Sequence, residues 1–551
     1  MPDVSQILAN HVRLEVSCVD RIYLGGFVPI LQTPGQLVYF LTKHLGKPIP
    51  SPALLGHITE DFRRSVDQFA REQNIPVRKF EKGERKDDIA AGYRKRFTKP
   101  EGVYLIGTAQ EKASAFYGRQ ERHGGHPFWR YSRRSVFVTH YYFYLVDRDF
   151  GPAFIKVCTY APFGVKVCLN GHEWAKKRLE CRGISYEALD NGFLSCTEPE
   201  KLQRICDSFN HRHIESFFRR WVSRLPWPLS FRDRNAGYVH HLSVLQLELS
   251  LTHVFDRPVH GREFFEEVIR ENLDLGRPDR VQLLFDQKVT RRTPPPHFGY
   301  RSRVITDGVN PSLHVEFKRS HVKQYFKENR ALRTETTIND TRDFQIGRLV
   351  RNLEYLMKIG QNVNRRLLSV ERISHDCGLN ADSLREIVLP TESDGQRAPA
   401  LRFGEPRVLA LLGSLCSFTH TPDGFSNQDL RKYVAGLLDP DAPPYGRNQM
   451  TYDLRRLRLK GMVQRFPGRN RYMLTRRGLR WALFITKVYS RIVRPFSRRY
   501  DLPVNQGASS SSKNPFDALE AALERIIHDS RLSIGASAPP IASRQPPAAS
   551  R

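Results

Sequence analysis

Between Gly446 and Tyr500 sixteen Lys/Arg stand against one acidic residue, Asp453, and they ride on a pattern that admits few folds. An Arg-rich helical stretch, Asn448 to Lys460, runs into two short strand-forming segments, Val463 to Phe466 and Arg471 to Leu474, joined by Pro467-Gly468-Arg469-Asn470. A charged helix followed by a tight hairpin predicts a winged helix-turn-helix. Upstream, Glu405 to Phe418 supplies a first helix, and Ser426 caps a second that reaches Leu438. In the third helix Met450, Leu454 and Leu457 fall on one face and Gly461 ends it, a Leu-x-x-Leu-x-x-x-Gly pattern common in bacterial winged-helix regulators.

That core face leaves the other residues of the helix for a partner. A helix entering the major groove reads bases with its exposed N-terminal residues, which here are Asn448, Gln449, Thr451, Tyr452 and Arg455, with Arg447 also off the core face as a DNA-binding candidate. Arg456, Arg458, Arg469, Arg471, Arg476 and Arg477 suit phosphates, with the hairpin tip reaching the minor groove or backbone. The bland alternative is a solvated helix or a protein contact, but the charge density exceeds what solubility needs. A closing helix, Gly478 to Val493, carries Trp481, Leu483 and Phe484, an apolar face suited to the body or to a second copy in a homodimer.

The whole chain is basic, +29 over 551 residues, which implies a polyanionic partner, double-stranded DNA before a membrane surface because basic stretches alternate with core-forming residues. No apolar run reaches the length of a spanning helix, and Met1 to Cys18 lacks the order of a signal peptide, so the expected location is the cytoplasm. The eight cysteines show no CxxC pairs and read as reduced thiols. The nearest approach to a zinc cluster is Cys168, His172, Cys181, Cys196, Cys206, His211 and His213. Cys168 lies in an apolar strand, however, and Cys206 on a core-facing helix, where cysteine acts as a small hydrophobe.

The fold class expected is α+β: a mixed, multi-stranded body with long helices, then the winged helix, then a disordered tail. Residues 1–195 form a first α+β domain, with strands at Val12 to Cys18, Tyr23 to Leu31 and Gly102 to Gly107. A helix opened by Ser51-Pro52 carries Leu55, Ile58, Phe62, Val66 and Phe69 on one face. Val136 to Val146 and Ala153 to Tyr160 read as a hairpin. Residues 196–340 begin with a helix capped by Thr197 and Glu200 and continue into a strand-rich unit. There Leu245, Leu247, Leu249 and Leu251 alternate with polar residues, as Arg333, Glu335 and Thr337 alternate with their neighbours, so one sheet face is polar and charged. Residues 341–391 read as a long helical linker, residues 400–500 as the winged helix, and residues 501–551 as mostly disordered.

Nearly four hundred residues before the winged helix exceed what a simple sensor needs. A metal-dependent nuclease needs two to four carboxylates converging on Mg²⁺, and the acids on strands or strand ends are Asp147, Asp149, Glu248, Glu316 and Glu335. Glu248, Glu316, Lys323, Tyr325 and Glu335 are therefore the catalytic candidates, and Mg²⁺ the cofactor such chemistry would require. The competing reading pairs these acids with adjacent Lys318 and Arg333. Lys323-Gln324-Tyr325 is faintly similar to rolling-circle replication initiators, but the His-hydrophobic-His pair of that family is missing; His211 and His213 flank an arginine. No Gly-x-x-x-x-Gly-Lys-Ser/Thr loop or Gly-x-Ser-x-Gly elbow is present, which argues against an ATP-driven motor and an α/β-hydrolase.

Asp149-Phe150-Gly151-Pro152, Asn170-Gly171-His172-Glu173-Trp174, the run Glu271 to Asp279 and above all Leu332-Arg333-Thr334-Glu335-Thr336-Thr337-Ile338-Asn339 resemble a family of uncharacterised bacterial proteins with an α+β body and a C-terminal winged-helix (MarR-like) domain. The resemblance spans roughly Val12 to Pro495 and implies a bacterial source and a fixed partnership of body and winged helix, without an activity. The function expected is thus DNA binding through the winged helix with further contacts from the basic body. The alternative is a Mg²⁺-dependent nuclease, transposase or replication-initiator-like enzyme of the kind carried by mobile elements.

Overall fold

The computed structural model of the chain describes residues 4–123, 126–275, 300–307, 310–317, 319–328, 330–375, 381–393, 395–402, 405–416, 424–438 and 445–489. The expected disordered tail lies outside them, as does part of the expected strand-rich unit.

The body is a mixed α+β assembly built on one large sheet. Its strands are β1 (Val12–Phe27), β2 (Val77–Lys79), β3 (Gly102–His123), β4 (His126–Asp147), β5 (Gly151–Cys158) and β6 (Val165–Asn170) from the first part of the chain. After a separate hairpin, β7 (Tyr186–Leu189) and β8 (Gly192–Cys196), come β9 (His241–Phe255), β10 (Tyr300–Asp307), β11 (Asn310–Phe317), β12 (Ser320–Lys327) and β13 (Ala331–Ile338). The spatial order is β10-β11-β12-β13-β9-β1-β6-β5-β4-β3-β2. Only the β2 to β3 pairing is parallel. The division expected at residue 195 does not separate two sheets, because β9 and β13 continue the sheet directly from β1.

Two strand expectations merge into one here. Val12 to Cys18 and Tyr23 to Phe27 are a single strand interrupted by a register shift between Val19 and Ile22. A bulge leaves residues unpaired and re-aims their side chains, and Asp20 and Arg21 sit in this one. The alternation of β9 turns Leu247, Leu249 and Leu251 to one face, and Glu248, Ser250 and Thr252 to the other. Register carries these faces onto β13, where Arg333, Glu335 and Thr337 oppose Thr252, Ser250 and Glu248. The polar face anticipated for this unit is therefore continuous across β9 and β13.

Helices cover the sheet. In chain order they are α1 (Val4–His11), α2 (Pro34–Tyr39), α3 (Pro52–Glu72), α4 (Lys86–Arg96), α5 (Gly171–Glu180), α6 (Pro199–Ser208), α7 (His211–Arg224), α8 (Phe231–Asn235), α9 (Pro258–Leu275) and α10 (Leu353–His375). Ser51 caps α3, whose Leu55, Phe62 and Val66 are buried. The Thr197 capping box does not form: α6 starts at Pro199 and the Thr197 hydroxyl donates to Ser185 O at 3.2 Å. The helix expected as a linker is instead part of the core. In α10 the Asn364 amide donates to Leu249 O at 3.0 Å, and a Cβ on Gly360 would stand 2.4 Å from Leu249 Cδ1. That packing claims the leucine face of β9 and leaves the acidic face to α5 and the β7–β8 hairpin.

Past α11 (Ala381–Val388) and the hairpin β14 (Thr391–Ser393) to β15 (Gln396–Ala398), the chain forms α12 (Pro406–Cys416), β16 (Phe425–Ser426), α13 (Asn427–Leu437), α14 (Arg447–Leu459), β17 (Val463–Arg465), β18 (Arg471–Leu474) and α15 (Arg476–Val488). Ser426 caps α13 reciprocally with Asp429, and β16, β18 and β17 make a three-stranded sheet in that order. Leu479, Trp481, Ala482 and Leu483 of α15 are buried within the chain.

Candidate nucleic-acid interface and carboxylate cluster

The C-terminal helix α14 is pinned from beneath. Met450, Leu454 and Leu457 are buried, and Asp453 among them accepts from the Tyr445 hydroxyl at 2.7 Å and from Arg456 Nη1 at 3.1 Å. Arg407 Nε of α12 stands 3.7 Å from the same carboxylate. At the end of the helix Lys460 donates to Glu386 O at 2.8 Å and Leu389 O at 2.9 Å, satisfying carbonyls around the end of α11. Burial brings the Lys460 pKa down to about 8. Gly461 follows at φ +69°, the left-handed conformation that glycine adopts without penalty and that turns the chain into β17.

With that underside fixed, Arg447, Asn448, Gln449, Thr451, Tyr452, Arg455 and Arg458 are all exposed. The spacing of the buried residues dictates this, since one face of a 3.6-residue repeat leaves the rest outside. Thr451 accepts from Asn427 Nδ2 at 3.1 Å, tying α14 to α13, and Arg455 reaches Gln396 Oε1 at 3.3 Å. Arg469 at the hairpin tip and Arg476 are exposed as well.

Three of the arginines assigned to phosphates are otherwise engaged. Arg456 is 4% exposed, neutralises Asp453 and donates to Ala400 O, so it is a structural residue. Arg471 donates to Gly424 O at 2.8 Å, and Arg477 pairs with Glu386 while lying 4.5 Å over the Trp481 ring. Sequence offered no sign of this, because an arginine one position from an exposed one looks equally exposed until its partner Asp453 is located.

In the body, β1, β9 and β13 bring Asp20, Glu248 and Glu335 together, with one carboxylate oxygen of each within 4.8 Å of the others. Two of these were foreseen; Asp20 was not, since it falls between what read as two strands. Arg333, fully buried, donates from Nη2 to Asp20 Oδ2 and to His172 Nε2, the latter at 3.0 Å, from Nη1 to Asn191 O, and sets its Nε 3.5 Å from Glu335 Oε2. His172, in the first turn of α5, also lies 3.0 Å from Ser250 Oγ. Burial, reinforced by Arg333, lowers the His172 pKa to about 3, so the imidazole is neutral and accepts at Nε2. Its Nδ1 has no hydrogen-bond partner among the described residues.

Burial acts to raise Asp20, but the Arg333 guanidinium overcomes it and the carboxyl is held below its usual range. Glu248 is pushed up to about 7, by burial first and then by the charges of Glu335 and Asp20. Glu335 is raised by burial and by Asp20. Arg333 and, at longer range, Arg21 set two guanidiniums against three carboxylates, a surplus that a proton on the raised Glu248 would meet. A hard divalent cation with oxygen ligands would meet it equally well.

Around the cluster the Tyr325 hydroxyl donates to Glu335 Oε2 at 3.2 Å, Lys323 Nζ lies 4.4 Å over the Tyr325 ring, and Gln246 donates to Glu248 Oε1 at 3.1 Å. Burial drives the Tyr325 pKa well up, so it is a phenol and not a phenolate at neutral pH.

The other acidic candidates do not join. Glu316 sits on β11, in register through His321 and Thr337 with Glu248. Three strand spacings place it about 14 Å from Glu248. Asp147 is fully buried in a turn, where it accepts from Arg220 Nη2 at 2.8 Å and Trp221 Nε1 at 2.7 Å, and Asp149 takes Arg220 at 2.9 Å and Arg178 at 3.1 Å. They clasp the β4–β5 hairpin to α5 and α7. The cysteine and histidine set considered for zinc does not converge among the described residues: His172 is at Arg333, and His211 holds Glu354 at 2.7 Å.

No helix among the described residues is long and apolar enough to cross a membrane. Comparison of the chain with protein-family models, with curated proteins and with solved structures finds no match.

Proposed function

We propose that this chain is a DNA-binding protein that docks double-stranded DNA through α14, with the β17–β18 hairpin flanking it as a wing. One observation carries the reading: α14 turns seven polar or cationic residues to solvent while Met450, Leu454 and Leu457, with Asp453 and Arg456, are buried. The order α12, β16, α13, α14, β17, β18 supports a winged helix-turn-helix, and Asn448, Gln449 and Arg455 are the side-chain types that read adenine and guanine edges. Arg458, Arg469 and Arg476 would hold phosphates. The test is fluorescence anisotropy of the full chain with a random-sequence duplex. Binding is expected, and R455A/R458A should weaken it without altering the folded-state circular dichroism. Failure of the wild type to bind at low salt, or equal binding by the variant, would sink the reading.

The convergence of Asp20, Glu248 and Glu335 favours a second reading, in which the DNA-bound protein cuts or transfers a phosphodiester strand with Mg²⁺. The carboxylates would hold the cation, and Arg333 would orient Asp20. Supercoiled plasmid should then be nicked in Mg²⁺ and not in EDTA, and E335Q and E248Q should each abolish nicking. Nicking that survives both substitutions would remove the cluster from the chemistry.

A further inference from the structure

Strands β3 and β4 pair over 22 residues each, much farther than their outer neighbours reach. The β2 register ends at Thr108, and the β5 register begins at His140. Between those limits β3 and β4 have, among the described residues, only each other as strand partners, in a ribbon whose two faces differ. Pairing of Gly118 with Tyr131 and Phe116 with Arg133 defines one face. It is spent on the body: Phe116 and Tyr131 are buried, Tyr131 donates to Pro50 O at 2.7 Å, and a Cβ on Gly118 would strike Pro52 Cγ at 2.6 Å.

The opposite face carries Tyr117, Arg119, Glu121, Phe128, Arg130 and Arg134. Tyr117 is 45% and Phe128 44% exposed, unusual for aromatics on a surface this charged. Arg134 lies 4.8 Å over the Tyr117 ring, and the one acid, Glu121, is taken by Arg130 at 3.4 Å. From Lys112 to Phe137 the ribbon holds six Lys/Arg against that one acid. Phe128 faces Glu121, four residues along β3 from Tyr117, so the two rings are about 13 Å apart along the ribbon.

Phosphates alone would require only the arginines. Exposed rings alternating with guanidiniums fit a polyanion whose bases are free to stack, which a closed duplex does not offer. We infer that this face of the β3–β4 ribbon binds single-stranded nucleic acid, with bases stacked on Tyr117 and Phe128 and phosphates held by Arg119, Arg130 and Arg134. The inference rests on the nucleic-acid reading above and deepens it by adding a site for unpaired strand to the duplex-docking helix.

The test uses the full chain with labelled oligo(dT) and, separately, a blunt duplex. Y117A/F128A should weaken oligo(dT) binding by at least about tenfold, since each stacked base contributes on the order of 1–3 kcal/mol, and should leave duplex binding unchanged. R119Q/R130Q/R134Q should flatten the salt dependence of oligo(dT) binding by about two in log–log slope. R447A/R455A/R458A should do the reverse, losing duplex and keeping oligo(dT). Oligo(dT) affinity equal in wild type and Y117A/F128A overturns the inference. Sound duplex binding without oligo(dT) binding also overturns it while the winged-helix reading stands, and oligo(dT) binding without duplex binding sustains it while that reading falls.

Discussion

Arg455 and Arg456 are adjacent in α14, yet the first projects into solvent and the second is bonded to Asp453 beneath the helix. Arg333 on β13 is buried like Arg456 but faces Asp20 and Glu335, with Glu248 beside them, where Arg456 neutralises one acid. The contrast separates structural charge from charge that awaits something. At Asp453 the buried ion pair is matched within the chain, and nothing from outside is needed. At the β9–β13 face acids outnumber the guanidiniums, so a proton or a cation must complete the site. On the outer face of α14, where we propose that DNA docks, the cations are solvated and cost little.

The largest effect should come from breaking the matched pair. R456A leaves buried Asp453 with only the more distant Arg407 for a cation and should cost about 3 kcal/mol in chemical denaturation, whereas R455A should stay within about 0.5 kcal/mol. Equal costs would erase the distinction between the two arginines. A buried acid without a guanidinium gives a third case. Glu371 of α10 has, among the described residues, Gln324 Nε2 as its hydrogen-bond partner, at 3.0 Å, and burial pushes it up to about 8. The carboxyl is protonated in the folded state over a range where the unfolded chain has released its proton. Its contribution is therefore fully present below the ordinary glutamate pKa and declines as pH rises toward about 8, with a slope of up to about 1.4 kcal/mol per pH unit. E371Q should flatten that slope in denaturation curves taken across the range.

The cation-completion claim is tested by Mg²⁺ or Mn²⁺, which should stabilise the wild type by up to about 2.7 kcal/mol at hundredfold excess over Kd and leave E335Q unmoved. Equal stabilisation of both would place the ion elsewhere. Last, G360A should cost about 1–3 kcal/mol, because its methyl meets Leu249 and that side chain can yield only in part. No cost would free α10 from the leucine face and with it the argument that the acidic face is turned away from α10.

Periodicity made much of this legible. The alternating leucines of β9, the buried stripe of α3 and the three helices with a hairpin at the C-terminus all announce themselves by spacing. What it could not announce depends on long-range pairing. Asp20 lies in a bulge, where period-two reasoning stops, and it completes a cluster whose other members are more than two hundred residues away. Glu316 shares the residue type and strand setting of Glu335, and register alone removes it. The β3–β4 ribbon was missed beyond Gly107 because its polar outer face interrupts the apolar alternation that marks a strand. An amphipathic stripe such as that of α10 shows that a face is buried but not against what, so a helix packed on the sheet passed for a linker.

The most direct measurement is the salt dependence of duplex binding by the wild type and by R447A/R455A/R458A. Each phosphate contact contributes about 0.9 to the log–log slope, so the triple variant, which loses the Arg458 phosphate contact and two further cations beside it, should be shallower by at least about one. An unchanged slope, with both proteins folded, would contradict the assignment of α14's outer face to DNA.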